Sequence, residues 1–213
     1  STGAMYLDSS DYELMHDGDE QVVGIVFPSV EIEAGTDISN AYVLFDVDEV
    51  RPGQSDQPTT INIYGEANVN PAAPSTTAFD LSSRTPTAAS VTWQPEPSVN
   101  VHDDLVTPDI TSIVSEIIAM DGWTIGNPMA ILFGHINGSR ARWVESGREN
   151  NGIMTPALVI ERASGAGCVA TTGSASVNGR PDGAEETVST GAMYLDSSDY
   201  ELMHDGDEQV VGI

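Results

Sequence analysis

Residues 1–25, STGAMYLDSSDYELMHDGDEQVVGI, recur without change as residues 189–213. The offset is 188 positions, so the chain holds one unique unit of 188 residues plus the opening of a second. This duplication constrains the fold more than any other feature. A domain has one place for a given segment, so the second copy is expected to open a neighbouring domain. The predicted organisation is a repeat domain over 1–163, a Gly/Ala/Ser-rich linker over 164–183, and the start of the next repeat over 184–213.

The unit is large enough to bury a substantial core. Its apolar residues fall in short runs separated by turn residues, which predicts strands. The candidates are Gln21–Phe27, Ala41–Val47, Thr60–Glu66, Ser90–Trp93, Met129–His135, Ala141–Val144 and Pro156–Arg162, with weaker ones at Ala4–Leu7 and Tyr12–Leu14. In AYVLFDV the alternation places Val43, Phe45 and Val47 on the core side and Tyr42, Leu44 and Asp46 on the other. One helix is predicted over about 108–120. Thr107 is placed to cap it, Pro108 suits its first position and Asp109 its positive end. Ile110, Ile113, Val114 and Ile117 follow the helical period, and Asp121-Gly122 stops it. The expected class is all-β, an antiparallel β-sandwich of jelly-roll type with one short helix.

Charge narrows the function. The chain carries 33 acidic residues against seven arginines, with no lysine, for a formal net charge of −26. That excludes a nucleic-acid partner, which needs a cationic footprint. It favours cations and solubility. Such self-repulsion is relieved by salt, which shortens the screening length from about 8 Å at physiological strength to about 3 Å at 1 M. The lysine-free acidic composition resembles that of proteins from saline habitats. No apolar run is long enough to span a membrane, and no signal peptide is visible.

Calcium is the cofactor the acidic clusters suit, because it takes six to eight oxygen ligands from carboxylates, carbonyls and water. Asp8, Asp11 and Glu13 lie in DSSDYE, and Asp17 and Asp19 flank Gly18 in HDGDE beside Glu20. Together they form the first candidate site. Asp46, Asp48 and Glu49 form a separate, lower-ranked cluster. His16, His102 and His135 show no transition-metal spacing and read as surface or strand-end residues. No nucleophile elbow, phosphate loop or dinucleotide fingerprint occurs, so no enzymatic activity is expected. Cys168 is the single cysteine and leaves no intrachain disulfide. Asn137-Gly138-Ser139 is a glycosylation sequon, expected in a loop. Trp93, Trp123 and Trp143 raise the question of sugar stacking. Trp93 and Trp123 sit where edge-of-core packing is the simpler role.

SSDYEL (Ser9–Leu14), QVVGIVF, ISNAYVLFDVDEV (Ile38–Val50), INIYGEA, LSSRTPTAASVTW (Leu81–Trp93), TPDITSIVSEII, GWTIGNPMAILFGH and PALVIE occur in this order. That ordered set, over about Tyr6 to Arg162, resembles secreted bacterial and archaeal β-sandwich modules related to DNRLRE-type, carbohydrate-binding-module-like domains. The resemblance implies a jelly-roll-like sandwich, an extracellular or cell-surface location and a non-catalytic module within a larger chain.

Three accounts of the duplication compete. The chain is a window on a long tandem array, or the terminal segment adds as a strand to a neighbour, or the protein is a natural chain with a duplicated end. Ile213 stops inside QVVGIVF, a strand that the first copy continues through Phe27, which favours the array. The expected function is a structural repeat of an extracellular filament, sheath or adhesin stalk. Its partners are identical repeats in a homopolymer. The expected assembly segment includes Ser189, Met193, Tyr194, Leu195, Tyr200, Leu202, Val210, Val211 and Ile213. The alternative is a glycan-binding module of a secreted multidomain protein, and a virion fibre domain is a third.

Overall fold

The run AYVLFDV sets the pattern for the whole domain. In the computed structural model it is the centre of a strand, Ile38–Glu49, whose Ala41, Val43, Phe45 and Val47 are buried while the residues between them are partly exposed. Residues 4–7, 9–14, 16–17, 19–97, 100–138, 141–147, 154–163 and 183–187 are described. In chain order their elements are β1 (Ala4–Tyr6), β2 (Asp11–Leu14), β3 (His16–Asp17), β4 (Asp19–Phe27), β5 (Ile38–Glu49), β6 (Thr59–Glu66), β7 (Pro86–Trp93), β8 (Asp104–Val106), α1 (Thr111–Ile118), β9 (Met129–Gly138), β10 (Arg142–Glu145), β11 (Ala157–Arg162) and β12 (Gly183–Thr187).

The strands form two antiparallel sheets. The first runs β1-β12-β4-β9-β6-β7, with β3 folded back on β4; the second runs β11-β5-β10-β2, with β8 also on β5. Their inner faces enclose one core. Val23, Ile25, Phe27, Ile61, Ile63, Ile131 and Phe133 come from the first sheet, and Tyr12, Leu14, Val43, Phe45, Val47, Leu158 and Ile160 from the second. The Phe45 ring stacks on Trp93 at 6.3 Å and meets Phe133 edge-on at 5.4 Å. Such aromatic contacts add about 0.5–1.5 kcal/mol each beyond the area they bury. The all-β sandwich expected from the alternation is the architecture observed.

The continuous run QVVGIVF has its own explanation. Val22 and Val26 of β4, with Ala130 and Leu132 of β9, pack with Met5 and Leu81 in a second cluster on the outer face of the first sheet. Strands buried on both faces lose the polar half of their alternation. Gly24 lies under this cover, and a Cβ there would meet the Leu81 side chain at 2.5 Å.

The helix is shorter at its start than expected. Its N-cap is Ile110, with no side-chain cap. Thr107, expected as the cap, is buried before the helix; its hydroxyl accepts from the Val43 amide at 2.9 Å and donates to the Pro108 carbonyl at 3.0 Å. The strand ladder won the hydroxyl because a buried β5 amide needed a partner. Asp109 does part of the capping, accepting from the Thr111 amide at 2.8 Å. Hydrogen bonding from Thr111, its side chain first and then its amide, lowers the Asp109 carboxyl pKa. Ile113, Val114, Ile117 and Ile118 are buried, and the Glu116 carboxylate accepts from the Ala88 and Ala89 amides of β7.

Gly65 permits this packing. A Cβ there would lie 2.6 Å from Ile117 Cδ1, 3.0 Å from Ile113 Cγ2 and 3.1 Å from Thr87 Cγ2. Gly65→Val is expected to cost about 1–3 kcal/mol by overpacking, read as a lower urea midpoint with unchanged slope. An unchanged midpoint would show that the helix rides freely over β6.

One feature falls elsewhere than the sequence suggests. Asn137 is in β9, paired with Thr60, not in a loop. Gly183–Thr187, which spans the boundary between the expected linker and the expected next repeat, pairs with β1 and β4. Cys168 and the assembly segment from Ser189 to Ile213 lie outside the described residues.

A candidate cation-binding cluster

Alternation along β5 turns Asp46 away from the core, while Val47 points inward. Asp48 is placed by an irregularity. Val144 of β10 pairs with Val47, but the preceding Trp143 pairs with Glu49, so β5 carries one extra residue there. A bulge of this kind bends the strand and re-aims a side chain. On the other side of β10, Glu145 pairs with Asp11 of β2. Three strands distant in sequence thus bring Asp11, Asp46, Asp48 and Glu145 to one end of the second sheet.

A turn completes the group. His102 has a left-handed backbone, with φ of 66°. Its amide donates to the Val47 carbonyl at 2.7 Å, and the Val47 amide donates to the Asp103 carbonyl at 3.0 Å. That clamp holds the imidazole Nδ1 2.9 Å from Asp46 Oδ1. One donor atom each from Asp46, His102 and Glu145 lie within 4.8 Å of one another. Glu145 is buried, whereas His102 is exposed.

The electrostatics follow from crowding like charges with little water. Burial, and then the neighbouring Asp48 charge, push the Asp11 carboxyl up to about 6. The Asp48 carboxyl is also raised, chiefly by burial and further by Glu49 and Asp46, against the opposing hydrogen bond with Glu145. Arg51 supplies positive charge at the rim. Its guanidinium contacts Glu49 at 2.6 Å and lies 4.5 Å above the Trp143 ring. The Glu49 pair is half exposed, so it contributes little stability.

The cluster combines parts of two sites that the sequence suggested separately. Asp11 came from the first candidate site, and Asp46 and Asp48 from the second. Glu13 does not join them: it accepts from Trp143 Nε1 at 3.0 Å and Gln21 Nε2 at 3.4 Å. Glu49 is turned to Arg51. Asp17 and Asp19 are backbone partners in the β3–β4 pair. Asp8 lies outside the described residues. His102 and Glu145 were not anticipated, since neither has a metal-binding spacing. The one local signal for Glu145 is a charged residue at the end of a short strand.

Carboxylate oxygens that repel one another and exclude protons only at a cost suit a cation. Of these carboxylates, Asp46 and Glu145 offer oxygens close enough to meet one ion, and a hard cation would take the rest of its shell from water and carbonyls. Using the imidazole as well would favour a softer divalent ion.

The tryptophans are not placed for sugar stacking. Trp93, Trp123 and Trp143 are 5%, 4% and 2% exposed. Trp123 Nε1 donates to the Ile32 carbonyl at 3.0 Å, and all three indoles serve packing. Among the described residues no helix is long and apolar enough to cross a membrane. No protein-family model and no curated protein matches the sequence.

Proposed function

We propose that the chain is a structural repeat unit of an extracellular filament, sheath or adhesin stalk, built from consecutive tandem domains. One observation carries this reading. The first copy of the duplicated segment already supplies β1, β2, β3 and most of β4, in both sheets. An identical second copy has the same pairing preferences and no second position in this domain. It therefore serves another domain of the same kind, joined through residues 164–182. Repeats joined this way form quasi-one-dimensional assemblies.

The surface chemistry agrees with this use. A charge of −26 keeps neighbouring polymers apart. Calcium held at the Asp11–Asp46–Asp48–Glu145 cluster would relieve repulsion within each domain, and a site on every repeat would make the whole polymer calcium-responsive. The extracellular setting rests on the composition and on the resemblance to secreted modules. The glycan-binding alternative lacks an exposed indole among the three tryptophans.

Limited proteolysis of the native protein tests the array. Cleavage in the Gly/Ser-rich links is expected to give a ladder with steps of one 188-residue unit, about 20 kDa each, because each repeat folds largely by itself. A single fragment with no larger multiples would overturn the reading. Electron microscopy should show filaments with an axial repeat of one domain.

A further inference from the structure

One donor in the cation cluster is not an oxygen. Asp46 lies on β5, His102 in the turn before β8 and Glu145 on β10. Donor atoms of these three residues lie within 4.8 Å of one another, and no other such trio occurs among the described residues. Carboxylates crowd together readily in a chain with 33 acidic residues and no lysine. An imidazole among them is an independent observation, because a nitrogen donor adds nothing to an acidic surface. Calcium takes oxygen ligands. Imidazole suits zinc and its neighbours in the transition series.

Each of the three donors sits on paired backbone. Asp46 pairs with Asp104 of β8. Glu145 pairs with Asp11 of β2, on a strand whose other edge pairs with β5. The His102 amide is bonded to the Val47 carbonyl, one residue beyond Asp46. Sites built on such elements hold their geometry better than sites on free loops. The cluster is also open on one side, since Glu145 is buried and His102 exposed.

We infer that Asp46, His102 and Glu145 together hold one zinc-class divalent ion, through Asp46 Oδ1, His102 Nδ1 and a Glu145 oxygen. Water entering beside the exposed imidazole fills the remaining position. This inference deepens the cation role proposed above and rests on the same cluster; it does not depend on the array. Zinc bonds of about 2.0–2.1 Å in a tetrahedral shell set neighbouring ligand atoms about 3.3 Å apart. Asp46 Oδ1 and His102 Nδ1 stand 2.9 Å apart. The three donor atoms lie within 4.8 Å of one another, so movements of about 1.5 Å or less bring them to that spacing. The bound ion would staple the turn at His102 across β5 to β10. Calcium, by contrast, would use the carboxylates and leave the imidazole aside.

Titration calorimetry on the whole chain, after treatment with a chelator and dialysis, tests this. Sodium chloride at about 0.5 M suppresses diffuse binding to the acidic surface. Zinc chloride is expected to bind at one ion per chain, at least about a hundredfold more tightly than calcium chloride. His102→Asn removes the imidazole but keeps a residue that accepts the left-handed backbone. It should weaken zinc binding at least about tenfold, the loss seen when even an outer partner of a metal ligand is removed. Calcium binding should stay within about twofold, because calcium has no need of the nitrogen. Calcium bound as tightly as zinc, or zinc binding untouched by His102→Asn, would overturn the inference. Calcium bound without zinc removes this ligand set and leaves the oxygen cluster; binding of neither ion removes both. Should His102→Asn fail to fold, the imidazole nitrogen shifts of the parent protein decide. Nδ1 of His102 must shift on adding zinc and stay in place on adding calcium, and an unmoved Nδ1 under zinc overturns the assignment.

Discussion

Arg142→Met is expected to lower Tm by about 6–15 °C, the largest loss for any single polar side chain described. Arg142 is 1% exposed and meets main-chain oxygens, not a carboxylate. Its Nε donates to the Glu96 carbonyl at 3.0 Å, and its Nη2 to those of Gln57 at 3.0 Å and Pro95 at 3.3 Å. The guanidinium thereby ties the segment before β6 and the segment after β7 to β10. Burial lowers its pKa, while Asp56 and Glu96 pull the other way. Charge-assisted hydrogen bonds of this kind contribute about 1.5–3 kcal/mol each and are not additive. A net loss of about 3–4 kcal/mol converts to the stated Tm change for a domain of this size. Arg142→Lys, able to reach one or two of these carbonyls, should lie between parent and Met. The opposing effect is relief of a desolvated charge. A Met variant as stable as the parent, by urea denaturation at fixed salt, would show that relief to be the larger.

The second large effect is a dependence on pH opposite to that of most carboxylate-rich proteins. The Asp11 pKa is raised from 3.8 to about 6 in the folded protein. Between those values the native state binds the extra proton, so this group favours folding at low pH. That contribution is lost as pH rises from about 4 through 6. Two pKa units correspond to about 3 kcal/mol, present below pH 4 and absent at pH 7. Asp48 shifts in the same direction. In buffer containing a chelator, unfolding free energy should therefore fall as pH is raised from 4.5 to 7. Asp11→Asn should flatten that slope and stabilise the protein at pH 7. A slope unchanged by Asp11→Asn would remove Asp11 as its source. Calcium, if bound at the cluster as proposed, would compete for the ionised form. Millimolar calcium is expected to restore stability at pH 7 in the parent and less so in Asp11→Asn. No response of Tm to calcium or its removal would discard the cation reading while leaving the pH slope intact.

The cluster behind this second effect was only partly legible in the sequence. Acidic runs at DSSDYE and FDVDE marked Asp11, Asp46 and Asp48 as candidates, because charge density is a local property. Their union was not local. It needed β10 to lie between β2 and β5, and a bulge to displace Asp48. Glu145 looked like the polar end of a strand, and His102 like a solvent-facing residue in a turn. The left-handed backbone at His102 and its clamp to Val47 arise from β5–β8 pairing. The tryptophans show the reverse limit, since composition could raise sugar stacking but not decide burial.

The sequence by itself determined the parts that depend on local periodicity. The core face of β5, the strands around Ile61 and Ile131, and the apolar face of α1 follow from side chains alternating every second residue or recurring every third and fourth. It also determined the duplication, on which the proposed array rests. Tertiary structure alone decided where Thr107 spends its hydroxyl, why QVVGIVF is apolar throughout, and that GAEET is a strand at all. GAEET lacks β-branched and aromatic residues except for its final threonine, and its composition reads as a linker. Its conformation comes from the unpaired backbone of β1 and β4 on either side, a demand set by the sheet rather than by the segment itself.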